Sequence, residues 1–540
     1  MPSGCLINRN LWKGSSLALV NAERLRKPAI LLLMGCLVGF HPVLRYGLPR
    51  SSETWSHLEN LDRMPSAVEA ANIGKMLELF QNRQHYTKYP LFYVVCKALT
   101  IDSPLAAAVF SGAIFSIMPL LAYLLAGRFM EELEAFVAAI LLCISAAFVY
   151  TMNFFSGGEP LAFAILLLSI YVYLRYRPAY ALPLLLPVVL LHPFTSVFLW
   201  STLVLMGVFD KPVSRIEAAA CTGVYTAALI GWLGFQVSEG LPLGNMVSSS
   251  VEYTVVFLLL AGSTAISILI SLGRERIGMD EKLAHLTGLV RELLPRIILG
   301  LEIVLVLVFT TAGIMGTEKS LTPQLLLYYS PTMALIAVVG LRREKVDPLT
   351  TSLTISFLVL MVSGLFVFPE VLPTYRLAPY GALCLVLLAA PVIRDRRMRI
   401  AVPIIAIGIG ATVYPGATFY FGFDEQYYPS EMSALDRIGD LMEGPIFTDV
   451  RMEDLVRYRF NTELVIPGKP SAELPRGTLA LVTRNMRETG LYPPGAEWYR
   501  APFHLDLEPL ELGSDRIYEN GQVELHRVAS DRVYLEEARE

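Results

Sequence analysis

Apolar stretches near the roughly 20 residues that a membrane-spanning helix needs recur about a dozen times through residues 1–414. Of the 540 residues 54% are hydrophobic and 17% charged, with a mean hydropathy of +0.51, and soluble globules cannot hide that much apolar surface. The chain therefore reads as an integral membrane protein. One long polar segment, residues 46–88, interrupts the pattern directly after the first apolar stretch. A loop that large and that rich in carboxylates, set at a membrane boundary, is the first place to look for chemistry.

Charge fixes the expected topology. Arg9, Lys13, Arg24, Arg26 and Lys27 precede the first apolar run, which places the N-terminus in the cytoplasm, and without a small-residue cleavage pattern the run reads as a retained signal-anchor. Basic connections (Arg128; Arg175 and Arg177; Lys211 and Arg215; 274–296; 342–345; 394–399) alternate with connections almost free of Lys and Arg (237–252, 314–323, 370–377). The spans this predicts are 28–45, 104–127, 134–153, 159–176, 180–191 with 193–209, 216–236, 253–272, 296–313, 324–341, 350–369, 378–393 and 399–414. Residues 180–209 have basic flanks at both ends, so they read as two short helices broken at His192-Pro193. The total is about thirteen crossings, an odd number that puts the C-terminus outside. Residues 89–101 are too short to span and are expected flat on the outer surface.

The last part of the chain has a different character. Residues 415–540 carry 13 Lys and Arg against 23 Asp and Glu, a net −10 that leaves +6 for residues 1–414. This acidic tail reads as a small α/β extracytoplasmic domain. Ser430 would cap a helix with Met432, Leu435, Ile438 and Leu441 on its apolar face; 445–450 and 478–482 read as strands, and 517–525 as a hairpin around Asn520-Gly521. It shows no nucleophile elbow, phosphate loop or metal spacing, and is expected to be a lid or docking module. The six cysteines (Cys5, Cys36, Cys96, Cys143, Cys221, Cys384) all lie before it without metal-type pair spacing and read as core residues.

Candidate site residues gather at the outer boundary. In the first loop Glu53, Trp55, His57, Glu59 and Asp62 follow one another closely, and on a helix Trp55, Glu59 and Asp62 share one face while Glu53 and His57 turn elsewhere. A carboxylate there suits a general base or a metal ligand; the plain alternative is a solvated helix. Glu159, before Pro160, starts a later span, and an ionisable group at that depth is a functional candidate unless it simply caps the helix. Lys88, Lys319 and Arg376 are cations on the outer side, where they could hold a phosphate at headgroup level or merely snorkel. Tyr89, Tyr375, Tyr380, His57, Trp55 and His192 are candidates for the cavity wall. His192 serves equally well as a buried histidine satisfied by a freed carbonyl.

This order of features resembles the integral-membrane glycosyltransferases of the GT-C fold, among them protein O-mannosyltransferases and the aminoarabinose transferases of lipid A. The residues that carry the resemblance are Glu53, Lys88 with Tyr89-Pro90-Leu91-Phe92-Tyr93, Glu159-Pro160 and Arg376. Members of that superfamily usually have Asp where this chain has Glu53 and often where it has Glu159, which leaves Glu59 and Asp62 as alternative catalytic acids. The resemblance implies a GT-C-like domain over 1–414, including the outer loop 46–103, followed by a soluble domain over 415–540. It implies transfer of one sugar from a polyprenyl-phosphate donor to a glycan, lipid or protein acceptor, with Glu53 as base and Lys88, Arg376 and Lys319 on the donor phosphate. A divalent metal (Mg or Mn) shared by Glu53 and Glu159 is left open beside a metal-free site. No nucleic-acid partner is expected. Glu497-Trp498-Tyr499 does not match the Trp-Trp-Asp type motif of the sister oligosaccharyltransferases, which speaks against N-linked en bloc transfer. The rival readings are a flippase of lipid-linked glycans, which should show internal repeats, and a non-catalytic receptor, in which Glu53, Glu159 and Arg376 should be scattered.

Overall fold

The computed structural model describes residues 17–46, 52–64, 66, 89–153, 155, 157–209, 214–238 and 250–273, with scattered positions between 285 and 300 and between 334 and 338. It then describes 347–366, 374–402, 404, 405, 408, 427–441, 444–460, 462–467, 471–491 and 504–538. Most of the expected spans 296–313, 324–341 and 399–414 lies outside the described residues, as do Lys88 and Lys319.

The first half is helical. α1 (Leu17–Gly39), α2 (His41–Tyr46) and α3 (Ser52–Arg63) precede α4 (Pro90–Ala98), α5 (Pro104–Ala126), α6 (Glu132–Ile144), α7 (Ala146–Met152) and α8 (Glu159–Arg175). They continue with α9 (Pro178–Leu191), α10 (Pro193–Phe209), α11 (Arg215–Ser238), α12 (Ser250–Gly273), α13 (Pro348–Phe366) and α14 (Thr374–Ala389). Among the described residues four stretches are long and apolar enough to cross a membrane: Pro104–Ala126, Arg215–Ser238, Thr254–Gly273 and Arg376–Arg394. α1 crosses α5 at close range, because a Cβ on Gly35 would sit 2.4 Å from the Ser116 carbonyl oxygen and one on Gly39 2.6 Å from that of Gly112. Without a hydrophobic drive between helices in lipid, such small-residue contacts are what bring backbones together.

Three expectations change. The single span 134–153 is two helices that part at Ser145, whose backbone is extended. Residues 89–101 do form a helix, α4, but its Pro90, Phe92, Tyr93 and Cys96 are buried against protein. The span expected to start at 378, with Pro379 in its first turn, winds back to Thr374, so Arg376 stands on the first turn of α14 and not in a loop. The break at His192-Pro193 is present as expected, with His192 extended between α9 and α10.

The C-terminal segment is mixed. α15 (Pro429–Ile438), β1 (Ile446–Phe447), α16 (Val450–Phe460) and β2 (Leu464–Val465) lead to β3 (Ser471–Pro475), β4 (Leu479–Thr483), α17 (Arg484–Thr489), α18 (Glu508–Gly513), β5 (Ser514–Glu519), β6 (Val523–Val528) and β7 (Arg532–Glu536). The five-stranded sheet has the order β2-β1-β4-β6-β5, with β1 parallel to β2 and β4, while β6 runs antiparallel to β4 and β5. The hairpin turns at Asn520-Gly521: Gly521 has φ +79°, and the Asn520 side chain accepts from the amides of Gln522 and Val523. α15 is capped at Tyr428, not at Ser430, because Glu431 reaches back to the Tyr428 amide; Met432, Leu435 and Ile438 are buried as the pattern requires, whereas Leu441 is exposed. α16 packs along α3, which joins this segment to the stretch that follows α2.

Candidate functional site

Three charged side chains that are hundreds of residues apart meet at one place. Arg376 Nη2 donates to Glu53 Oε1 at 3.0 Å, and its Nη1 reaches Glu159 Oε2 at 3.5 Å. Each comes from a helix start: Glu53 from the first turn of α3, Glu159 from the first position of α8, Arg376 from the first turn of α14. Glu159 is fully buried, whereas the side chains of Arg376 and Glu53 remain 16% and 28% exposed. The cluster is therefore closed on the Glu159 side and open on the Glu53 side.

Beneath Glu159 lies a hydrogen-bonded relay. Tyr380, one turn after Arg376, sets its hydroxyl 3.4 Å from Glu159 Oε1 and 2.5 Å from Thr195 Oγ1. Thr195 Oγ1 meets His192 Nδ1 at 2.9 Å, and the Thr195 amide donates to that same nitrogen at 3.3 Å. An Nδ1 that accepts from an amide leaves the proton of a neutral imidazole on Nε2, which faces Glu159 Oε2 at 3.7 Å. The broken segment thus turns its histidine to the site and does not spend it on a freed carbonyl. Tyr89 lies parallel to the His192 ring, 5.6 Å between centroids.

Gly157 and Gly158 let this assembly close. Gly157 has φ +59°, and a Cβ there would meet the Tyr89 ring at 2.9 Å and His57 at 3.2 Å; a Cβ on Gly158 would lie 1.9 Å from the Leu191 carbonyl oxygen. Only glycine brings Glu159 this near the α9–α10 break. His57 sits just outside, its Nδ1 2.6 Å from the Tyr93 hydroxyl, which also accepts from Asn60 at 3.1 Å.

The opposite face of α3 turns to the C-terminal segment. Trp55, expected in the cavity wall, is instead fully buried between Tyr427 and Tyr458, with centroids at 5.7 and 5.5 Å, and works as an anchor for α16. Glu59 accepts from Arg63, and with Asp62, Arg457 and Tyr458 these residues line a cavity of about 240 Å³ between α3 and α16. Glu59 and Asp62 thus share the face expected of them, turned away from the Arg376 cluster. The Asp62 carboxyl is pushed up from its usual range by burial, which outweighs nearby Lys97. Of the tyrosines, Tyr89 and Tyr380 are in the site; the Tyr375 side chain lies outside the described residues.

A divalent ion does not fit between Glu53 and Glu159 here, because the Arg376 guanidinium fills that space and already neutralises one charge. Among the described residues no group of three or more His, Cys, Asp or Glu side chains comes together as a metal site. In the C-terminal segment Ser514, His526 and Glu524 look like a triad, with 3.1 Å from His526 to each partner. The Ser514 hydroxyl donates to the Leu510 carbonyl at 2.5 Å, however, so it has no proton to give His526. Thr195 and the glycine pair were not expected in the site; the glycines just before a buried acid at a helix start were a readable signal, and Thr195 was not.

No protein-family model and no curated protein matches this chain. Among solved structures it is similar to the crystal structure of the Archaeoglobus fulgidus oligosaccharyltransferase in complex with Zn and sulfate, at 14% identity and TM-score 0.47, over 80% of this chain and 62% of that one. It is also similar to the archaeal oligosaccharyltransferase AglB from the same organism in complex with an inhibitory peptide and a dolichol-phosphate, at 12% identity and TM-score 0.49, over 82% and 64%. The chain thus spans somewhat less than two thirds of the proteins it matches. Residues 492–503, which hold Glu497-Trp498-Tyr499, lie outside the described residues.

Proposed function

We propose that this chain is a membrane glycosyltransferase of the GT-C type that moves a single sugar from a polyprenyl-phosphate donor to an acceptor hydroxyl at the outer membrane face, with inversion. The observation that carries it is the meeting of Arg376 with Glu53 and Glu159 at the mouths of three helices. A receptor would have no reason to gather acid and cation from such distant segments around one half-open point. In this reading the bundle is residues 1–414 with about thirteen crossings, the N-terminus is cytoplasmic, and residues 415–540 form an α/β domain outside.

Glu53, the more exposed acid, takes the proton from the acceptor hydroxyl as it attacks the anomeric carbon from the side opposite the phosphate. Arg376 exchanges its carboxylates for the leaving lipid phosphate and stabilises the charge that develops there. Glu159, held by Tyr380 and the His192 relay, keeps Arg376 in place when Glu53 lets go. An anionic donor needs positive charge besides that of Arg376, and Lys88 and Lys319 are the residues expected to supply it.

Glu53→Gln in purified protein, given a polyprenyl-phosphate sugar, tests the base: lost turnover with donor binding intact is expected, and retained turnover excludes Glu53. Arg376→Ala should lose donor binding. Mass spectrometry of co-purified lipid should find a polyprenyl phosphate; its absence would count against the donor class.

A further inference from the structure

The break between α9 and α10 gives His192 two jobs. Pro193, the first residue of α10, has no N–H, and the amides that follow it in the first turn have no partner inside the helix. His192 stands just before it with an extended backbone, φ −159° and ψ 123°, and its Nδ1 takes the amide of Thr195, the third residue of α10, at 3.3 Å. That is the bond an N-cap side chain makes, here made by an imidazole. A backbone amide can only donate, so Nδ1 must accept, which excludes both the Nδ1–H tautomer and the imidazolium.

Nε2 is then a donor with nothing to donate to. His192 is fully buried, and among the described residues its Nε2 has no hydrogen-bond partner. Tyr89, 11° from parallel, and Phe194, 5.6 Å away, seat the ring in this orientation. A buried donor left unpaired is destabilising, which calls for a state of the molecule in which it is paired. The acceptor it faces is Glu159 Oε2 at 3.7 Å, about 0.8 Å beyond an ordinary N–H···O bond.

Glu159 has room for that bond. Its side chain is fully buried, yet its contacts are long, 3.4 Å to the Tyr380 hydroxyl and 3.5 Å to Arg376 Nη1. Once a donor phosphate draws the charge of Arg376, Glu159 loses most of its compensation, and a buried carboxylate stripped of its partner is costly. A shift of less than an ångström toward the α9–α10 break closes the bond from Nε2. We propose that His192 is a positioning residue for donor binding, whose Nε2–H takes hold of Glu159 as Arg376 engages the lipid phosphate. No proton changes owner in this exchange, because His192 is neutral throughout. The role rests on the transferase reading above and adds to it a residue that touches neither donor nor acceptor.

The test is NMR of the histidine rings in the full chain in lipid nanodiscs, with a short polyprenyl monophosphate as the probe and the matching uncharged polyprenol as the contrast. The His192 ring, assigned through its contact with the Thr195 amide, should carry its proton on Nε2 in the free protein. Adding the monophosphate should move that proton downfield, as a forming hydrogen bond does, and the polyprenol should leave it in place. His192→Asn, which can still cap α10 but falls short of Glu159, should weaken monophosphate binding about tenfold. A proton on Nδ1, an Nε2–H signal unmoved with the monophosphate bound, or a His192→Asn variant that binds it like the wild type would overturn the proposal; the first two outcomes are read on the wild type and do not depend on a variant that folds. A wild type that binds no polyprenyl monophosphate, with its proton on Nε2, would remove the transferase reading and this role with it, leaving His192 a helix cap alone.

Discussion

Two arginine–glutamate clusters in this molecule are built from the same residue types and behave as opposites. Arg451 grips Glu431 with two parallel bonds of 2.9 and 2.8 Å, both side chains are almost wholly buried, and the guanidinium lies over the Tyr427 ring at 5.2 Å. Arg376 is shared between two carboxylates at 3.0 and 3.5 Å, and one side of it is open. A bidentate, closed pair has no further partner to accept and holds structure. A shared, stretched and half-open one can be exchanged for a substrate at little cost, and that difference separates site from scaffold more clearly than residue identity does.

The sharpest way to break the contrast is to remove one charge from each cluster. Glu53→Gln should lower turnover about 10²–10⁴-fold, the usual worth of a positioned base, with the thermal unfolding midpoint nearly unchanged. Arg451→Met should do the reverse: about 3–5 kcal/mol less stability, because Glu431 is left buried without its partner, and chemistry unchanged in whatever fraction stays folded. Replacing both, Arg451→Met with Glu431→Leu, should restore most of that loss. If Glu53→Gln instead destabilised the protein by as much as Arg451→Met, the Arg376 cluster would be scaffold after all.

A smaller effect tests how closely Glu159 is placed. Gly158→Ala sets a methyl group against the Leu191 carbonyl, a backbone atom that has no easy way to move, and overpacking of this kind costs about 1–3 kcal/mol. The helix start should shift, Glu159 should leave Arg376, and polyprenyl-phosphate binding should weaken along with the unfolding midpoint. Unchanged binding would detach the glycine pair from the site.

What could be read in advance was local. The 3.6 period of α3 separates Glu53 and His57 from Trp55, Glu59 and Asp62, and the structure keeps those two faces apart; the His192-Pro193 break and the Asn520-Gly521 hairpin follow from backbone chemistry alone. What could not be read was pairing at distance. That Arg376, Glu53 and Glu159 share one site was expected from the resemblance, but that one guanidinium would bridge both acids follows from how α3, α8 and α14 pack. Trp55 shows the same limit: an aromatic beside a carboxylate looks like a cavity wall until Tyr427 and Tyr458 arrive from the other end of the chain.

The smallest expected effect concerns pH and the joint between α3 and α16. Asp454 is raised to about 8, first by burial, then by Glu453, Glu53 and Glu59, against Arg457; Asp449 at the start of α16 is raised to about 6, chiefly by burial and against Arg451. A carboxyl whose folded value lies above its ordinary one binds its proton more tightly when folded. Its favourable contribution is therefore complete at low pH and is lost as pH rises through the folded value. Asp454 titrates above Asp449, and the Asp454→Asn variant separates its share from that of the other groups. Hydrogen exchange of the α3 amides, corrected for intrinsic rate, should quicken from pH 6 to 8.5 as the added charge at Asp454 pushes on Glu53 and Glu59. Asp454→Asn should flatten that slope and leave the one below pH 6 in place. An α3 whose protection is the same across the window in the wild type would mean that Asp454 does not face the two glutamates, and that the C-terminal segment rests on α3 without touching its charge.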